Sequence, residues 1–131
     1  MRRAVSRRHL LLALATTGLA GAIGGRAPGV VRRHHQRLAW LSVVGHRRSS
    51  RIVGRAYLAS APDPCDAASL QRQLLPTDPG RSSALLDDVG RLRRYVRGRI
   101  EDDFDSGRTV QVHGWVLSET EARLCALVTR L

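Results

Sequence analysis

Six apolar side chains, Leu85, Val89, Leu92, Val96, Ile100 and Phe104, recur at spacings of 4, 3, 4, 4 and 4. That is the repeat of one face of an α-helix. The pattern predicts a helix capped by Ser82 or Ser83 and stopped by Gly107. Asp87–Arg91 and Arg99–Asp103 fall at i, i+4, pairings that add a few tenths of a kcal/mol each. Gly90 and Gly98 each cost about 1 kcal/mol against alanine, so packing must hold this helix. Such a stripe needs partners, and a chain of this length supports one small core.

The last turn of that helix is electrostatically odd. Glu101, Asp102, Asp103 and Asp105 sit where the helix dipole disfavours anions. No glycine-shaped calcium loop surrounds them, and Arg97, Arg99 and Arg108 stand close in sequence. The expectation is a structural or partner-facing acidic patch, with Asp102 and Asp103 as docking candidates and no metal.

The tail is the most sharply written stretch. Thr109 to Val112 and Trp115 to Leu117 are β-prone runs around His113-Gly114, able to pair as a hairpin or to run on as one extended segment. Ser118 with Glu121 forms a capping box that opens a last helix, Glu119 to Leu131. Its core face is Leu124, Leu127, Val128 and Leu131, with Cys125 on the flank. For Trp115 the simpler expectation is a core anchor; the alternative is a docking knob, since tryptophan is favoured at binding hot spots.

Ahead of the stripe, Ser49 or Ser50 can cap a helix from Arg51 to Ser60, ended by Ala61-Pro62-Asp63-Pro64. Asp66 caps a helix from Ala67 to Leu75, and Pro76 to Gly80 reads as a turn. The expected fold is therefore mainly α: a small bundle of three or four helices, with a short β hairpin or extended segment before the C-terminal helix.

Charge divides the chain. Its 22 basic residues are all arginine, against 11 acids, for a net +11. Residues 1–62 hold twelve arginines and no Asp or Glu; residues 63–131 are near neutral. A signal n-region followed by a solvated linker explains this asymmetry. So does a tail that touches anionic lipid, nucleic acid or an acidic partner.

The beginning of the chain reads as an address. Ser6, Arg7, Arg8, Leu10 and Leu11 precede a mildly hydrophobic run that is too short for a comfortable membrane span of about 20 residues. Thr16, Thr17, Gly18 and Gly21 keep that run weakly apolar, and Ala20 with Ala22 offers a small-x-small cleavage region. This is the pattern of a twin-arginine export signal. Leu12 stands where that motif often has lysine; a general secretory signal and an uncleaved anchor are the alternatives. The expected organisation is a signal at 1–22, a basic linker or amphipathic segment at 23–48 and a helical domain at 49–131. Within 23–48, one tryptophan, Trp40, is expected to dock, and adjacent His34 and His35 diverge too far on a helix to share a metal.

Cys65 and Cys125 are the two cysteines. In an exported chain they offer a disulfide, or else remain two thiols. No phosphate loop, zinc spacing, nucleophile elbow or haem motif is present, and His113 is the lone base candidate for a catalytic thiol. Neither a catalytic role nor a cofactor is expected.

Gly54-Arg55-Ala56-Tyr57-Leu58 and the stretch from Ile100 to Leu127, with Gly-Trp-Val-Leu-Ser-Glu-Thr-Glu-Ala-Arg-Leu-Cys-Ala-Leu, resemble a group of short proteobacterial proteins with twin-arginine signals. That resemblance implies export and small size, and supplies no catalytic residues. On leader and size alone, the chain also resembles the small subunits of membrane-bound FAD-dependent gluconate, sorbitol and fructose dehydrogenases. This implies an exported, non-catalytic accessory subunit that escorts or docks a larger FAD-dependent oxidoreductase across the twin-arginine translocase. It would then lie in the periplasm or on a membrane. The alternatives are a stand-alone protein held to an anionic membrane surface by Arg32, Arg33, Arg47 and Arg48, and a basic nucleic-acid-binding protein. Few aromatics interleave with the arginines, so nucleic acid is not the expected partner.

Overall fold

The computed structural model describes residues 28–61 and 65–131. Six helices and one hairpin follow in order: α1 (Pro28–Val43), α2 (Arg47–Ser60), α3 (Ala67–Leu74), α4 (Pro79–Asp87), α5 (Val89–Asp105), β1 (Thr109–Val112), β2 (Trp115–Ser118) and α6 (Glu119–Arg130). The fold is thus mainly helical, with a short antiparallel hairpin before the C-terminal helix. The chain divides after Arg33, and His34–Leu131 forms one compact unit; the packing below is within it.

The long apolar stripe is cut once. Asp88 adopts φ −129°, ψ 101°, which ends α4 and caps α5. Its carboxylate accepts from the Arg91 amide at 3.0 Å and pairs with the Arg91 guanidinium at 3.2 Å. The single helix read from the spacing is therefore two. Its expected caps, Ser82 and Ser83, lie inside α4, which starts instead at Asp78 with Pro79 in the first turn. Aspartate followed by proline is a helix-start signature, and here it outcompetes the serines. Of the stripe, Leu92 and Val96 are buried and Leu85, Val89 and Ile100 partly so, whereas Phe104 at the far end is 46% exposed. In α4 the buried side chain is Leu86, one residue past Leu85.

A similar shift affects α2. It begins at Arg47, and Ser50 does not cap it but donates its hydroxyl back to the His46 carbonyl at 3.0 Å. Asp66 does cap α3, accepting from the Ser69 amide at 2.6 Å. Part of the stretch read as a basic linker or amphipathic segment is helical, α1, whose Trp40 is fully buried together with Ala39 and Leu41.

Helix α6 is the axis of the unit and packs against α2, α3 and α5. Leu124, Ala126 and Leu127 from α6 join Trp40, Leu70, Leu74, Leu86, Leu92 and Val96 in one core. Residues buried around most of a helix's circumference mark a central element, and Thr120, Ala122 and Val128 complete that pattern. Two arginines of α5 close the ends of other helices: Arg93 donates to the Ser42 carbonyl at 2.8 Å, and Arg99 to those of Gln73 and Leu74 at 2.8 and 3.1 Å. A cation at a helix C-terminus answers both the orphan carbonyls and the dipole. Arg99 is thus engaged at α3, not with Asp103 as its i, i+4 spacing suggests.

Candidate functional site

The hairpin is the best-defined surface feature, and it is held from beneath. Helix α5 ends in a Schellman arrangement at Gly107, which has φ 69°. The Gly107 amide donates to the Phe104 carbonyl at 3.1 Å and the Arg108 amide to the Asp103 carbonyl at 2.8 Å. The next residue starts β1. At the other end of the hairpin, the first three amides of α6 are all satisfied. Glu119 donates to the Arg108 carbonyl at 3.1 Å, Thr120 to Asp103 Oδ2 at 2.8 Å, and Glu121 to Ser118 Oγ at 3.0 Å. Glu121 returns a carboxylate oxygen to the Ser118 amide at 3.0 Å, completing the capping box.

Asp103 therefore closes one helix with its backbone and opens another with its side chain. Its second oxygen accepts from Arg108 Nε at 2.9 Å. At 2% exposure it is a buried strut, not a docking residue. Burial alone would raise its pKa, but hydrogen bonds from Thr120 and Arg108 and the Arg108 charge outweigh that and hold it below the usual aspartate value. The anion that looked misplaced at the end of α5 is in place at the beginning of α6. Asp102 beside it remains exposed.

The strands pair antiparallel, with Val112 opposite Trp115 across His113 and Gly114. Both turn residues have positive φ, 52° and 81°, as a two-residue type I′ turn requires. Val112 is 5% exposed, yet Trp115 across from it is 73% exposed, and Val116 beside it 54%. Trp115 is not a core anchor. The core already holds an indole, that of Trp40, and the turn carries Trp115 past its edge.

A second surface lies on α2. Arg47, Arg48, Arg51, Ile52 and Arg55 line one shallow cleft. Ile52 is 59% exposed. None of these four arginines makes a hydrogen bond or ion pair among the described residues, in contrast to Arg93, Arg99 and Arg108.

The two cysteines are free thiols and lie in different surroundings. Cys65 lines an open cleft with Asp66, Ala67 and Arg130. Cys125 is half-buried, and burial pushes its thiol above the ordinary value, eased by Ser50 and reinforced by the Glu121 charge. The disulfide offered by the sequence is not formed. His113 sits exposed in the hairpin turn and shares no cleft with either thiol. Among the described residues, no group of His, Cys, Asp and Glu is placed to hold a metal ion, and no helix is long and apolar enough to cross a membrane.

The export residues Ser6, Arg7, Arg8, Leu10 and Leu11, and the cleavage region at Ala20 and Ala22, lie outside the described residues. Comparison with known proteins leaves the site to its own geometry: no protein-family model, curated protein or solved structure matches the chain.

Proposed function

We propose that this chain is an exported, non-catalytic accessory subunit that docks a larger oxidoreductase, an FAD-dependent one on the strength of the leader and size, through its β hairpin. The observation that carries the docking is Trp115, 73% exposed on a hairpin whose base is fixed on both sides by Asp103. A large amphipathic ring on a short rigid turn loses little conformational entropy on binding, which is what makes such residues effective anchors. Export rests on Ser6-Arg7-Arg8 with Leu10 and Leu11, and a route that carries folded proteins suits a chain that travels with a loaded partner.

The test is affinity purification of the full chain from its native host, beside Trp115→Ala and a variant with Arg7 and Arg8 replaced by lysine. The proposal expects a flavin-containing protein to copurify with the wild type and to be lost with Trp115→Ala. It also expects both proteins to stay in the cytoplasm when the arginine pair is replaced. Export of the wild type with no flavoprotein bound would defeat the docking reading. Unchanged export of the lysine variant would defeat the twin-arginine reading.

A further inference from the structure

We infer that the outer face of α2 is a docking surface for an anionic lipid bilayer, independent of the hairpin and its partner. The face is built from Arg47, Arg48, Arg51 and Arg55 with Ile52 among them. Arg47 and Arg51, and Arg51 and Arg55, stand one turn apart. Like charges at that spacing repel, and no acidic side chain occurs anywhere in residues 1–62 to relieve them. Arg93, Arg99 and Arg108 cap helices or hold carboxylates. These four do neither among the described residues. Unlike Arg72, Arg81, Arg97 and Arg130, which are equally bare but scattered, they stand together on one helix beside an exposed isoleucine, so folding stability does not account for the cluster. An external anionic surface does.

Ile52 decides which surface. It lies between Arg48 one turn before and Arg55 one turn after, and it is 59% exposed. An apolar side chain at the edge of a row of guanidinium groups matches the depth profile of a bilayer. The isoleucine reaches the acyl boundary while the arginines bind phosphate oxygens above it. A nucleic-acid backbone offers such a residue nothing, and no exposed aromatic ring on this face can stack on bases. Across the helix from Ile52, Gly54 lies against Cys125 and Thr129 of α6, which fastens α2 to the body. The helix is therefore presented lengthwise, in the attitude of an interfacial helix.

The experiment is vesicle sedimentation of the full chain with phosphatidylcholine alone and with added phosphatidylglycerol. Binding should require the anionic lipid and weaken steeply with salt. Replacing Arg47, Arg48, Arg51 and Arg55 by glutamine should weaken it by about 100-fold or more, given roughly fivefold per arginine at an anionic surface. A charge-matched variant with Arg72, Arg81, Arg97 and Arg130 replaced should stay within a few fold, which separates this face from net charge and from the arginines at the front of the chain. Ile52→Ser should cost about tenfold with the salt dependence unchanged. Equal binding to neutral vesicles, or equal losses in the two quadruple variants, would overturn the inference. So would tighter binding to duplex DNA or RNA that ignores Ile52→Ser. All these sites are exposed, and circular dichroism confirms that each variant is folded.

Discussion

Gly54 of α2 lies so close to the Cys125 carbonyl of α6 that a β-carbon at position 54 would fall inside van der Waals contact with it, and with Thr129 Oγ1. The obstacle is mostly backbone, which cannot swing aside as a side-chain tip can. Gly54→Ala is therefore expected to destabilise the fold by about 1–3 kcal/mol, the ordinary cost of overpacking, despite the helix propensity that alanine adds. Gly98, in the middle of α5, meets nothing within 4 Å. Gly98→Ala should stabilise by up to about 1 kcal/mol. Urea denaturation of the two variants gives opposite signs if the α2–α6 contact is as close as it stands; equal signs would refute it.

Asp103 makes stability depend on acid. Its folded pKa lies below the ordinary aspartate value because Thr120 and Arg108 outweigh burial. A depressed carboxylate contributes stability that is fully present above the unfolded value of about 4 and is lost as pH falls through the folded value. Asp103→Asn sets an amide NH2 against one of two donors, and should cost about 2–3 kcal/mol at neutral pH. It should also flatten the loss of stability below about pH 4. Asp88, lowered chiefly by the Arg91 amide, titrates in the same direction. The informative quantity is thus the difference between wild type and variant, measured by denaturation across pH. An unchanged acid slope would remove Asp103 from this role.

Local chemistry was legible in the sequence and distant chemistry was not. Asp66 and the Ser118–Glu121 box act within four residues, so pattern alone located them, and it offered the His113–Gly114 turn as one of two readings beside a continuous extended segment. The break at Asp88 is equally local, and the Asp78-Pro79 and Asp88-x-x-Arg91 starts could have been recognised; the continuous apolar stripe obscured them. The reach of Asp103 to Thr120, seventeen residues on, has no sequence signature. Neither does the choice of which tryptophan enters the core. The bare arginines of α2 differ from the capping arginines of α5 only by what lies across from them in space.

The two tryptophans should separate cleanly. Trp40 is fully buried and Trp115 largely exposed. Trp40→Ala leaves a cavity and should cost about 3–5 kcal/mol. Trp115→Ala removes an exposed ring and should stay within about 0.5 kcal/mol. Iodide should quench the fluorescence of Trp115 and spare that of Trp40, so Trp115→Ala should leave a protein that iodide barely quenches. A large stability loss in Trp115→Ala would return that ring to the core and remove the docking proposal.

The cysteines should differ in reactivity. Only a thiolate attacks an alkylating reagent, and burial keeps the Cys125 thiol protonated at neutral pH. Cys65 faces an open cleft beside Arg130. Iodoacetamide at pH 7 should therefore label Cys65 first and Cys125 slowly, and Cys65→Ser should abolish the fast phase. Raising the pH should accelerate Cys125, because deprotonation is what limits it. Since both are free thiols, a reductant should leave the unfolding midpoint unchanged. A disulfide across this span would stabilise by roughly 4 kcal/mol, so a midpoint that falls on reduction would show that the two cysteines do meet. The middle of α6, which carries Cys125, would then have to lie against the segment before α3 that carries Cys65.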